Sequence, residues 1–142
     1  MGYCMDFRDA KFSIANEDKQ MALEAIKALK KGVNEKGSGF SSRDADRNYA
    51  WVDTDEFMNA DTLEKAIQAW RWETESDASG NINSIHFDGE KLGDDLVLFE
   101  AIAPYVKKGS FIEMGGEDGY IWRWVFNGKD CVKKAARMVF ED

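Results

Sequence analysis

Apolar positions return every three to four residues in two places along the chain. Ala22, Ala25, Ile26 and Leu29 follow the i, i+3, i+4, i+7 spacing that puts side chains on one face of an α-helix. Asn16 is placed to cap that helix, and Glu17 and Asp18 fall in its first turn, where carboxylates suit the helix dipole. Lys27, Lys30 and Lys31 lie toward the other end, and Gly32 is the expected stop. Leu63, Ala66, Ile67 and Trp70 repeat the spacing, and Asp61 followed by Glu64 resembles a capping box, so a second helix is expected over about 61–70. A third, weaker pattern begins with Asp94 as cap and carries Leu98, Phe99 and Ile102. Pro104 cannot donate to the Glu100 carbonyl, so that helix ends or kinks near Ala103, and Gly109 closes the segment.

Period-two alternation marks the strands. Residues 2–14 are rich in β-formers and read as an N-terminal strand. Residues 71–87 read as a hairpin around the turn "DASGN", with its second strand at about 82–88 and the turn-rich link "DGEKLGDD" after it. Residues 110–114 and 120–126 form two more strands across the turn "GGEDG"; "NGK" is a type I′ hairpin signal, and a last strand starts at Asp130 and runs on through "ARMVF". In the 120–126 strand, Tyr120, Trp122, Trp124 and Phe126 share one face. The pattern as a whole predicts an α+β fold: an antiparallel sheet of about five or six strands with three main helices packed on one face. Between the first two helices, residues 34–50 are polar and hold the longest stretch without a periodic pattern, so a flexible surface loop is expected there.

Composition changes this picture little. A chain of 142 residues fits one domain, here 1–142, and 44% hydrophobic residues are enough for a core without a disulfide or metal. No apolar run reaches membrane-spanning length, and the charged opening "MGYCMDFRDAKF" is not a signal peptide, so a cytoplasmic site is the expectation. Cys4 and Cys131 read as two free thiols.

Charge is more informative. Residues 51–100 hold three Lys/Arg against thirteen Asp/Glu, net −10, whereas the segments on either side are each net +1. Phosphate binding needs a basic face, so the balance speaks against nucleic acid. Two acidic groups stand out: Asp53, Asp55 and Glu56, and Asp88, Glu90, Asp94 and Asp95. They are the candidate partner-binding residues, and carboxylates in turns and caps are the plainer alternative.

Other chemistry is weakly supported. "DASGNINSIHFD" puts Asp77, Ser79, Asn81, Asn83 and Asp88 at calcium-loop spacing, but Ile82 stands where glycine is needed and the flanks are strands, so no metal site is expected. His86 is the only histidine, lies in a strand, and reads as a structural or surface residue. No nucleophile elbow, Walker loop or Cys-x-x-Cys is present, and no cofactor is expected. Four of the five tryptophans lie in two Trp-Arg-Trp triplets. Trp72, Trp122 and Trp124 are either a stacking surface for a ligand or core residues. The core reading is favoured, because rings of 150–250 Å² each are costly to leave exposed.

The segments "MGYCMDFRDAKFSI", "FMNADTLEKAIQAWRWE" and "FDGEKLGDDLVLFEAIAPYVKKGSFIEMGGEDGYIWRWVF" together resemble a family of small, acidic, uncharacterised proteins of bacteria, phages and mobile elements, including integron gene cassettes. The resemblance covers most of the chain and departs at 37–50, where the loop is longer than the family's join into "WVDT". It implies a stand-alone accessory domain, with no activity and no functional residues to carry over. Two functions follow as expectations: a binding protein of immunity, antitoxin or inhibitor kind that meets a basic partner through its acidic middle, or a small-molecule-binding or hydrolytic domain with an aromatic and carboxylate cleft. A homodimer through a sheet edge is compatible with both.

Overall fold

The computed structural model describes residues 2–31 and 49–136. Gly32, most of the 34–50 loop, and residues 137–140 of the "ARMVF" extension lie outside the described residues; the last strand ends at Ala135, before Ala136. Among the described residues, six strands and four α-helices follow in the order β1 (Met5–Lys11), α1 (Lys19–Ala28), α2 (Thr54–Met58), α3 (Leu63–Ala69), β2 (Trp72–Ser76), β3 (Ile82–Phe87), α4 (Asp95–Ile102), β4 (Phe111–Gly116), β5 (Ile121–Phe126) and β6 (Cys131–Ala135). All pairings are antiparallel, so the fold is α+β as expected from the pattern. The strands divide into a four-stranded sheet, β1-β4-β5-β6, and the β2-β3 hairpin. Ile14 joins the two: its N–H and C=O exchange bonds with Ile82 (3.0 and 2.9 Å).

The helices cover the face of the large sheet that carries the alternating aromatics. Trp122, Trp124 and Phe126 are buried there, and Phe99 of α4 packs on Trp124 and Phe126 at 5.1 and 5.9 Å between ring centroids. Tyr120, at the same parity, sits at the strand entry and stays exposed. Each buried Trp removes roughly 150–250 Å² from water, about 4–6 kcal/mol as an upper figure at ~25 cal/mol/Å². One apolar cluster runs from Met5 and Ile14 through α1, α3 and α4 to Cys131.

Several local readings shift by a residue or a turn. Asn16 is not the cap of α1. It enters a 3-10 turn, Asn16–Asp18, and the helix begins at Lys19. Thr62, not Asp61, caps α3: its hydroxyl accepts from the Lys65 N–H at 3.2 Å, while Asp61 pairs outside with the Lys65 ammonium. Asp53, Asp55 and Glu56 are not a plain turn. Asp53 caps the short helix α2 by accepting from the Glu56 N–H at 3.1 Å, and the other two lie in its first turn. The hairpin at 127–130 puts Gly128 at φ 93 while Asn127 is not left-handed, so the turn does not have the two left-handed positions that type I′ demands. Instead the Asn127 side chain accepts from the Lys129 and Asp130 N–H groups.

Candidate functional site

The tryptophan triplets resolve first. Trp72, Trp122 and Trp124 are all buried, at most 2% exposed, so the stacking-surface assignment is corrected: none of the three offers a ring face to a ligand. Trp70 and Trp72 both enter the core although they are two residues apart across a helix end. Arg71 between them takes φ 77, the left-handed region, which swings the chain so that Trp70 packs on Tyr49 and Phe57 and Trp72 packs on Phe87, Phe99 and Trp124.

Arg71 then fixes the acidic link that follows the hairpin. Its Nη2 meets both Asp95 oxygens at 3.1 Å, and its Nη1 donates to the Lys91 carbonyl at 2.6 Å. Asp95 also accepts from the Trp72 indole N–H (2.8 Å) and the Gly93 N–H (2.9 Å). It is fully buried. Asp95 is therefore corrected from a partner-binding residue to an internal pin: a buried carboxylate persists only when its oxygens are paired, and here four donor contacts do that.

The pin lays the link 88–94 alongside its neighbours. The Met5 N–H donates to the Glu90 carbonyl and the Leu92 N–H to the Tyr3 carbonyl, so residues 3–5 run beside 90–92. On their other side, the Cys4 N–H donates to Glu117 Oε1 at 2.6 Å and the Tyr3 hydroxyl donates to Asp118. At the far end of the link, Asp94 Oδ2 accepts from the Ala50 N–H at 2.9 Å. Four segments thus follow one another through these contacts: 117–118, 3–5, 90–94 and 49–53. This succession, the acidic strip, carries Asp53, Glu90, Glu117 and Asp118, all exposed, with Asp94 half-buried; Asp55 and Glu56, in the first turn of α2, and Asp88, at the start of the link, are exposed next to them in the chain. From the two acidic groups of the sequence, Asp53, Glu90 and Asp94 belong to these segments, and Asp95 lies beneath them in the core. Glu117 and Asp118 join them from a turn that pattern reading treats as a hairpin connection only.

Hydrogen bonds tune the strip. The Cys4 N–H holds the Glu117 carboxyl below its ordinary range, and the Tyr3 hydroxyl does the same for Asp118. In return, Tyr3 is pushed up to about 12, chiefly by the bond to Asp118. Lys91 is raised, first by its hydrogen bond to Cys4.

Trp51 stands in the strip and was not marked by sequence pattern, which treats a lone Trp as core. It is 54% exposed. It occupies the third position of the turn closed by Val52 N–H to Tyr49 C=O and takes φ 66. A non-glycine residue there carries strain of about 1–2 kcal/mol. Gly93 lies beneath it: a Cβ at 93 would fall 2.9 Å from Trp51 Cδ1 and from the Ala50 carbonyl oxygen, so only glycine lets the turn approach the link.

Grooves also lie elsewhere on the surface, one of about 540 Å³ between Ser13, Asp77, Asn81, Tyr105 and Lys107. One of about 400 Å³ runs between β1 and the β2-β3 hairpin and includes Arg8, Asp9, Glu73, Ser84 and the exposed His86. His86 packs edge-on against Phe7 at 4.9 Å. A smaller one of about 190 Å³ touches Trp122, but its carboxylate, Glu113, is already held by Arg8 and Arg123. Among the described residues, no three His, Cys, Asp or Glu side chains converge to hold a metal. Asp77, first in the calcium-like spacing, spends its carboxylate on the Ser79 and Asn81 N–H groups of its own turn. Among the described residues, no helix is long and apolar enough to cross a membrane. No family model, no curated protein and no solved structure matches the chain.

Proposed function

We propose that this chain is a cytoplasmic protein-binding module whose acidic strip meets a basic partner, in the manner of an immunity, antitoxin or inhibitor protein, and that it serves as an accessory protein of a mobile element. What supports the reading is the hydrogen-bonded succession of segments 117–118, 3–5, 90–94 and 49–53, which holds four exposed carboxylates, Asp53, Glu90, Glu117 and Asp118, together with the exposed Trp51. Carboxylates of one sign set up a field that steers an oppositely charged partner and raises its association rate. Trp51 supplies what charge alone lacks. A large aromatic projecting from a rigid turn is the kind of side chain that anchors an interface, and its ring face accepts a Lys or Arg cation. The hydrolytic or small-molecule alternative loses its stacking residues to the core.

The test begins with a pull-down on the immobilised protein from a lysate of the host, with partners identified by mass spectrometry. Association of the recovered partner is then measured for wild type and for the triple variant Asp55→Lys, Glu56→Lys, Glu90→Lys. The reading expects a basic partner and a rate that falls at least tenfold in the variant. A partner that binds the variant at the wild-type rate rejects it.

A further inference from the structure

Cys4 and Lys91 oppose each other directly as an isolated antiparallel bridge. The bonds that flank them, Met5 N–H to Glu90 C=O at 2.9 Å and Leu92 N–H to Tyr3 C=O at 2.7 Å, make theirs a non-hydrogen-bonded pair, the kind whose side chains stand closest. Lys91 Nζ donates to Cys4 Sγ at 3.3 Å. The lysine stem lies over Gly2, where an added Cβ would come within 3.1 Å of Lys91 Cδ. Backbone pairing and the missing side chain at residue 2 therefore both direct the amine to the sulfur. Glu117 stands beside them, with Oε1 on the Cys4 N–H at 2.6 Å. A nucleophilic sulfur, an amine and a carboxylate thus converge at a half-buried, reachable place.

Cys131 shows the contrast within the same chain. It lies in the core, where burial and then Glu100 push its thiol up to about 12. A thiol so placed is inert toward oxidants.

We propose that Cys4 and Lys91 close a covalent Sγ–Nζ bond when the protein meets hydrogen peroxide. In the first step Sγ attacks one peroxide oxygen. The S–O bond forms, the O–O bond breaks, and the second oxygen leaves as water with the thiol proton, so sulfur loses two electrons and the peroxide gains them. Cys4 is then a sulfenic acid, the rung of the oxidation ladder that condenses with nearby nitrogen. In the second step the Lys91 ammonium gives one proton to Glu117 or to water, and the freed amine attacks Sγ. The N–S bond forms, the S–O bond breaks, and the hydroxyl leaves as water with a proton from nitrogen. One thiol, one ammonium and one hydrogen peroxide molecule yield one sulfenamide, two waters and one proton.

The bond would staple residues 3–5 to the 90–92 link and replace a cation in the acidic strip by a neutral nitrogen. The tether stands on the Cys4–Lys91 geometry alone and does not depend on the proposed partner.

The full-length protein is treated with hydrogen peroxide, digested without reductant, and mapped by mass spectrometry. The expected product joins the Cys4 and Lys91 peptides, is lighter by two hydrogens than their sum, resists tryptic cleavage after Lys91, and reverts with dithiothreitol. Oxidation should also raise Tm in wild type and not in Lys91→Arg or Cys4→Ser. Sulfinic or sulfonic Cys4 with Lys91 unmodified, intermolecular disulfides in place of the tether, an unreacted Cys4, or the same products from wild type and Lys91→Arg would each overturn the proposal.

Discussion

Replacing Asp95 by Ala tests the internal pin that shapes the acidic strip. The change removes the acceptor for both Arg71 Nη2 contacts, for the Trp72 indole N–H and for the Gly93 N–H. Arg71 has only 15% of its side chain exposed, so its guanidinium is left mostly buried, with the Lys91 carbonyl as its remaining acceptor among the described residues. Breaking a buried ion pair from one side costs about 3–5 kcal/mol, and the stranded indole N–H adds part of a further 1–3 kcal/mol. Domains of ordinary stability have only about 5–15 kcal/mol to lose, so Asp95→Ala should sit near the edge of folding at 25 °C. The assay is urea denaturation followed by far-UV circular dichroism and tryptophan fluorescence, comparing midpoints at unchanged m-value. The double variant Asp95→Ala, Arg71→Met removes the stranded charge and should recover most of the loss, giving a coupling of at least ~2 kcal/mol in the cycle. An Asp95→Ala cost below about 1 kcal/mol, or a double variant as unstable as the sum of the singles, would refute the assignment.

Trp122→Ala should cost about 3–5 kcal/mol in the same assay, whereas Trp122→Phe should cost much less, because the Trp122 indole N–H is buried without a partner and Phe removes that debt; equal melting of Trp122→Ala and wild type would contradict the core placement. Trp51→Gly should leave stability unchanged or raise it by up to ~1 kcal/mol, since relief of strain at φ 66 outweighs the entropy cost of glycine, and the same variant should bind a recovered partner at least tenfold more weakly. On acidification, Glu113, Glu117, Asp118 and Asp77 all have folded pKa values below their ordinary 4.5 or 3.8, so their contribution is fully present above the ordinary values and is lost as pH falls through the folded ones; midpoints measured from pH 6 to pH 2 should drop steadily below about pH 4.5, and a flat profile would contradict these bonds. Tyr3 runs the other way: its pKa is raised from 10.0 to about 12, so the bond to Asp118 stabilises below pH 10 and is lost as pH climbs toward 12, which a spectrophotometric titration of tyrosinate absorbance checks.

The elements that could be read from the sequence are those whose signal is local. α1, α3 and the β2-β3 and β4-β5 hairpins follow from spacing and turn residues that sit within a dozen positions of one another. The α3 cap fell one residue off because Asp61 and Thr62 are both good caps, and only the Thr62 to Lys65 bond separates them. α2 has five residues, too few to show a period. The join of the hairpin to the large sheet depends on Ile14 meeting Ile82, which no local pattern encodes. The same limit governs the site. Asp94 and Asp95 are identical neighbours in sequence, and which of them is buried is decided by Arg71, more than twenty residues earlier. Glu117, Asp118 and Cys4 reach the acidic strip only through the pairing of β1 with β4, and Trp51 is visible as an outlier only once its turn is left-handed and its ring faces water.

Steering of a basic partner by the exposed carboxylates is tested most directly by the salt dependence of association. The rate constant for the partner recovered by pull-down is measured by stopped flow between 0.02 and 1 M NaCl, as the Debye length shrinks from above ~10 Å to ~3 Å. The account predicts a wild-type rate that falls by at least tenfold across that range, and a shallow, nearly flat dependence for the Asp55→Lys, Glu56→Lys, Glu90→Lys variant. A wild-type rate indifferent to salt, or a variant with the same slope as wild type, would contradict it.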